Sequence, residues 1–164
     1  AGEIVAGVVH NPATDELFWA EKGRGAWFND RRMRVSGRKR LADSLIATGT
    51  PFLGKGDADR FSAELAEIMP KVAGIRRFGA AALDLAYVAA GRFDAYWEIG
   101  LNPWDVAAGA LLVREAGGFV SEADLRADPI YGGTVLAGNP SIHGEIAKLL
   151  RRARNRTRTP APAP

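Results

Sequence analysis

The sequence predicts an α/β fold: a layered domain built on one mixed sheet, preceded by a small antiparallel meander. Two observations carry this. From Leu41 onward, strand-like and helix-like stretches alternate four times, the pattern of helices packed on the faces of a sheet. Residues 3–36 instead read as short β-branched and aromatic runs separated by turn residues, with no helical period. A chain of 164 residues is long enough for one domain with a real core, or for one and a fraction.

The elements follow in order. "EIVAGVVH" (3–10) is an apolar strand, "NPATD" (11–15) has turn chemistry, and "ELFWAEK" (16–22) alternates as its partner. "AWFND" and "RMRVS" complete the meander as two short strands around Asn29-Asp30. Four strands of this size need a further layer to cover them. "SLIATG" (44–49) is a buried strand and "TPFLGKG" a loop. Residues 57–70 form a helix opened by Asp57, with Phe61, Leu65 and Ile68 on one face and a stop at Pro70. "GIRRFG" (74–79) is a strand, and 80–91 is an Ala-rich, nearly all-apolar helix closed by Gly91, hence buried. "DAYWEI" (94–99) is a strand, 103–116 a second buried helix, and "FVSE" and "TVLAGN" are strands. Residues 140–153 form the last helix, with Pro140 in its first turn.

This gives three expected divisions: 1–40 as a partial α/β unit, 41–153 as the α/β domain, and 154–164 as a disordered tail of arginine followed by Pro-Ala repeat. The tail distorts the overall charge. Five arginines fall after residue 150, and subtracting them from the net +3 leaves −2 for residues 1–150. That balance argues against a nucleic-acid-binding domain, whose basicity belongs on a folded face. No apolar run reaches the length of a membrane span, and no leader pattern opens the chain. The absence of cysteine excludes disulfides and thiolate metal sites, and it fits a cytoplasmic location.

Three places carry candidate chemistry. In "EIGLNPWDVAAGALLVREAGG" (98–118), Asn102 suits an N-cap, Pro103 the first helical position, and Asp105 the third. A carboxylate there meets unpaired N–H groups and the positive end of the helix dipole, so a capping role is a complete account. The alternative is a hard oxygen ligand for Mg²⁺ projecting into a cleft, and one Asp alone cannot build such a site. Glu98, at a strand end, is either a solvated terminus or an acceptor for substrate hydroxyls. In "FGAAALD" (78–84), Gly79 precedes a helix whose first residues are small. Their free N–H groups suit an anion or a polyol hydroxyl, and their size equally suits close packing on a sheet.

Several of these segments together resemble one family. "GVVHNPATDELFWAEKGRGAWFND", "RRFGAAALDLAYVAAGRFDAYWE", "GLNPWDVAAGALLVREAGG" and "VLAGNPSIH", in this order, are similar to the inositol monophosphatase family, especially its bacterial members. The likeness spans nearly residues 1–152, and the Trp-Asp helix start with a Glu seven residues earlier is its most specific part. The resemblance implies a layered α/β/α sugar-phosphatase fold and hydrolysis of a small phosphorylated polyol such as an inositol phosphate. It implies Mg²⁺ as cofactor, Li⁺ as inhibitor and a homodimer as assembly, with no membrane partner. It assigns Asp105 as a metal ligand, Glu98 as the acid that binds substrate hydroxyls, and Gly79, Ala80 and Ala81 as the helix start lining the substrate pocket. At Ala80 many relatives have Ser or Thr, so only the backbone N–H remains there. The resemblance assigns no catalytic residue to this chain.

The family's metal loop, Asp-Pro-Leu/Ile-Asp-Gly-Thr, lies ahead of the meander and is not among these residues. "DPIYGGT" (128–134) is a decoy: Tyr131 replaces the second acid, and its position after the Trp-Asp helix is wrong, so it reads as a turn. The resemblance therefore implies the C-terminal part of such a phosphatase, inactive alone, with its first strand an inner strand and apolar surface exposed on the meander. Rival activities within the class are those of nucleotide 3′-phosphatases, histidinol-phosphate phosphatases and fructose bisphosphatases. A rival outside it is a non-catalytic module of RNA-polymerase-associated complexes, to which "RRARNRTR" would add a weak anion contact. The loop 49–60, with Lys55 and Arg60, is either a contributor to the site or a solvated surface.

Overall fold

A computed structural model of the chain describes residues 2–52, 56–123 and 128–158. Lys55 and the Pro-Ala end of the chain lie outside the described residues. Four strands, β1 (Ala6–Asn11), β2 (Glu16–Glu21), β3 (Gly25–Phe28) and β4 (Arg31–Arg32), form an antiparallel sheet in sequential order. A second sheet contains β5 (Leu45–Thr48), β6 (Gly74–Arg76), β7 (Ala95–Ile99), β8 (Phe119–Ser121) and β9 (Thr134–Gly138) in the order β6-β5-β7-β9-β8. Its β5–β6 and β5–β7 pairs are parallel, and β7–β9 and β8–β9 are antiparallel. This is the mixed sheet the alternating pattern predicts.

Four helices fill the remaining layers: α1 (Ala58–Ile68), α2 (Ala81–Ala89), α3 (Pro103–Glu115) and α4 (Pro140–Arg158). Helices α2 and α3 lie between the two sheets, which is why they are apolar all round. Leu85, Val88, Val106 and Leu112 share a core with Val9 and Phe18 of the first sheet and with Tyr96 and Val135 of the second. The outer face of the second sheet supports α1 and α4 through Ile46, Trp97, Leu136, Ile68, Ile142 and Ile146. Each such aliphatic side chain contributes roughly 1.5–3 kcal/mol by leaving water. Helices α2 and α3 meet closely at Gly109, where an added Cβ would lie 2.5 Å from Leu85 Cβ.

Local chemistry explains the boundaries. Asp57 caps α1 by accepting from Arg60 N at 2.9 Å, as its position predicts. Glu115, at the end of α3, accepts from Gly23 N at 2.9 Å and Gly25 N at 2.8 Å, tying the β2–β3 turn to the helix layer. The strand expected at "RMRVS" is shorter than its pattern: after β4 the chain leaves the sheet, and Val35 N donates to Ala116 O at the end of α3. The buried carboxylate of Asp94 accepts from Leu45 N at 2.7 Å and from the Ser36 hydroxyl, fixing this connection to the second sheet. Residues 128–133 form the predicted turn before β9.

The last helix departs from expectation. A disordered tail was expected from residue 154, but α4 continues to Arg158. Leu149, Leu150 and Ala153 are buried, which keeps the helix docked to its end, and Arg156 pairs with the buried Glu67 of α1. The basic residues thus belong to an amphipathic helix rather than to a free tail.

Candidate functional site

The polar residues singled out by sequence converge at one end of the second sheet. A cleft of about 230 Å³ opens where β5 and β7 end and α2 and α3 begin. Gly79, Ala80, Ala81, Glu98 and Asp105 all line it, although the first and last are 26 residues apart in sequence. Crevices at the ends of sheet strands, facing helix N-termini, are the usual place for anionic ligands in α/β proteins.

Each side chain arrives there for a local reason. Alternation along β7 sends Tyr96 toward α2 and α3, Trp97 toward α1 and α4, and Glu98 back to the Tyr96 side. The Tyr96 hydroxyl donates to Glu98 Oε2. Glu98 also lies directly over Gly49 at the end of β5, where an added Cβ would fall 1.9 Å from Glu98 Cδ. Burial pushes the Glu98 carboxyl above its ordinary range, the Tyr96 bond and Arg77 oppose that shift, and the Asp105 charge adds to it. Burial, followed by the Glu98 charge, keeps the Tyr96 hydroxyl protonated.

Helix α2 enters with Gly79 at φ +87°, a left-handed conformation that glycine adopts without strain. Its N-cap is Ala80, and no side chain caps it. The first free N–H groups of α2 therefore open at the cleft wall, a geometry compatible with both the hydroxyl- or anion-binding reading and the packing role.

Asp105 performs the predicted capping. Its Oδ2 accepts from Asn102 N at 2.9 Å, while Asp105 N donates to Asn102 O at 3.0 Å. Oδ1 makes no hydrogen bond to the described residues, so capping uses half of the carboxylate and leaves one oxygen. Both readings of Asp105 are compatible in one geometry. A divalent ion is another matter. Among the described residues no group of three or more His, Asp or Glu side chains is placed to hold a metal. Asp105 offers a single donor, and Mg²⁺ requires a near-octahedral oxygen shell. The described residues alone do not fit the ion.

Sequence reasoning missed the floor and back wall of the cleft. Trp97 Nε1 donates to Glu64 Oε2 at 3.1 Å, and Arg60 Nε reaches Glu64 Oε1 at 2.8 Å. Phe61 stacks on Trp97 with centroids 6.4 Å apart. The loop after β5 also contributes, through Gly49, Thr50 and Phe52. Arg60 thus serves the back wall rather than a solvated surface. The i,i+2 pair Tyr96 and Glu98 was readable as one strand face, but the Gly49 contact spans 49 residues and leaves no local signal.

The sequence profile described as inositol monophosphatase family matches residues 1–155. An inositol-1-monophosphatase from Mesorhizobium japonicum is 54% identical over 151 residues, covering 92% of this chain and 57% of that protein. The Nus factor SuhB of Pseudomonas aeruginosa is 50% identical over 140 residues, covering 84% of this chain and 52% of its own length. The crystal structure of extragenic suppressor protein suhB from Bartonella henselae superposes with a TM-score of 0.89 at 54% identity, covering 92% of this chain and 58% of that one. The chain spans a little over half the length of the curated relatives it matches.

Proposed function

This chain belongs to the inositol monophosphatase family, and on that premise we propose that it supplies the polyol-recognition side of a Mg²⁺-dependent phosphate monoesterase acting on inositol monophosphate. One observation carries the reading: Glu98, the uncapped start of α2 and the free oxygen of Asp105 share one cleft. Glu98 Oε1 accepts a hydrogen bond from a ring hydroxyl, because Oε2 is already engaged by Tyr96. The α2 N–H groups at Ala81 and Ala82 meet an adjacent hydroxyl or the anionic ester. Asp105 would offer one oxygen to a metal only if the remaining ligands came from outside the described residues. The back wall of Trp97 and Phe61, with the Arg60–Glu64 pair behind it, limits the length of the polyol.

Phosphate release from inositol-1-phosphate with Mg²⁺, measured on the intact protein, tests this. Glu98→Gln is expected to raise KM about tenfold or more, equivalent to about 1.4 kcal/mol of binding. Greater turnover of a nucleotide 3′-phosphate or histidinol phosphate than of the inositol ester would move the assignment to that substrate. The 164-residue chain alone is expected to release no phosphate, and turnover by it would overturn the account of Asp105 as one ligand among others outside the described residues.

A second reading, a non-catalytic module of transcription complexes, is favoured by the likeness to a protein named Nus factor SuhB. It also gains a folded basic segment. Arg31, Arg32, Arg34, Arg38, Lys39 and Arg40 are all exposed, and residues 31–40 contain no acid. The same segment passes the C-terminal ends of α2 and α3, where cations are favoured by the helix dipoles in any case. Salt-sensitive RNA binding that disappears when these residues are changed to Gln would support the module, and binding unchanged by those substitutions would remove the segment from it.

A further inference from the structure

The least explained polar group in the molecule is Asp84. It sits in the first turn of α2, fully buried, and among the described residues neither carboxylate oxygen has a hydrogen-bond partner. Buried polar groups in folded proteins are almost always paired, so an exception calls for a reason. An ionised carboxylate left bare in this position is strongly disfavoured, whereas a protonated one is a small neutral group.

Its surroundings supply the reason. Glu98 of β7 acts on Asp84 from the sheet, the Ala80 backbone and Arg77 act from the start of α2 and the segment before it, and Asp84 and Asp105 both act on Tyr96, Asp105 also on Glu98. Three carboxyl groups and a phenol therefore share one low-dielectric corner, opposed by the Ala80 backbone and one guanidinium. Glu98 is confined on two sides, by the Tyr96 hydroxyl and by the backbone of Gly49. A second negative charge behind it would push its carboxylate off that seat.

We propose that Asp84 is a positioning residue for Glu98: by holding a proton under the cleft, it keeps the Glu98 carboxylate seated between Tyr96 and Gly49, with one oxygen free for a polyol hydroxyl. The inference rests on the polyol-binding role of Glu98 proposed above. Burial and the Glu98 charge push the Asp84 carboxyl up to about 7, so the proton is lost within the physiological range. Ligand binding through Glu98 then weakens as the pH rises. Where binding requires the protonated form, affinity falls by about tenfold per pH unit above the midpoint. Asp84 touches no ligand in this account and acts only through Glu98.

The test uses the intact protein and unphosphorylated myo-inositol, which has no titrating group of its own in this range. Calorimetric affinity is measured from pH 6 to 8.5 for the native protein and for Asp84→Asn, which keeps the shape and cannot ionise. The native protein is expected to lose about tenfold or more across that range, and D84N to stay level within about twofold. Parallel profiles for the two proteins would overturn the proposal. The ¹³C carboxyl shift of Asp84 in the native protein needs no variant to interpret it. It is expected to titrate near neutrality and to move to a lower midpoint in Glu98→Gln. An Asp84 carboxyl that titrates in the ordinary carboxylate range would overturn the proposal as well. If myo-inositol binds at no pH while the carboxyl titration appears as described, the Asp84–Glu98 coupling stands and the polyol reading of the cleft fails.

Discussion

Asp84 and Gly49 bear on Glu98 in different ways, one electrostatic and one steric, and each predicts a separable effect. In the unfolded chain Asp84 ionises near 3.8, whereas in the fold it holds its proton to about 7. Below about pH 4 both states are protonated and the group is neutral in the balance. Between about 4 and 7 only the folded state keeps the proton, so stability falls as pH rises, by a few kcal/mol in total once about 7 is passed. Urea unfolding at pH 5 and pH 8 should show this loss in the native protein and not in D84N, and equal losses would discard the buried-acid assignment. Gly49→Ala acts differently. The added Cβ displaces the flexible end of Glu98 rather than backbone, so stability should change by less than about 1 kcal/mol while polyol affinity drops at least tenfold. A variant that binds normally would show that Glu98 does not use the Gly49 seat.

Two helix ends meet at the cleft, and they are finished differently. Helix α3 is capped by Asp105, so Asp105→Ala should lower stability by about 1 kcal/mol in thermal unfolding, independent of added metal. Any larger fall seen only with Mg²⁺ present measures the second use of the carboxylate. Helix α2 has no side-chain cap at Ala80. Ala80→Ser should therefore stabilise the fold by about 0.5–2 kcal/mol through a new bond to a free N–H. If those N–H groups serve a ligand, the same change alters polyol affinity, and a stabilised variant with unaltered affinity would assign the α2 start to packing alone. The long α4 makes the contrast: its end is held by the buried Leu150 and Ala153, and by a pair between the exposed Arg156 and the buried Glu67 of α1.

The whole molecule is a stack of sheet, helix pair, sheet, helix pair, with the cleft at one end of the inner layers. The outermost layer is the first sheet. Its face away from α2 and α3 carries Val8, 61% exposed, Leu17, 39% exposed, and the stacked pair Trp19 and Trp27 with ring centroids 5.6 Å apart. One edge of this sheet, along β1, also has no neighbouring strand among the described residues. The isolated 164-residue chain is accordingly expected to bind a hydrophobic dye and to self-associate, both read by fluorescence and light scattering. Substituting Lys at Val8 and Leu17 should reduce both. A monomeric chain that binds no dye would contradict an exposed apolar face.

The strand and helix order was legible because burial leaves a periodic record. The apolar helices 80–91 and 103–116, the caps at Asp57 and Asn102, and the turn at 128–133 all follow from local spacing. So did Glu98 and Asp105 as candidates, since each stands at an element's end where a charge must be explained. What local pattern does not record is the company those residues keep. Amphipathic packing extended α4 past its expected end, because a long arginine side chain reads as tail in sequence and as helix surface once Leu150 is docked. The seat of Glu98 on Gly49, and the burial of Asp84 beneath it, depend on contacts between elements far apart in the chain. Such contacts arise only when sheet and helices close on one another, so tertiary structure alone decided how the acid at the end of β7 is held.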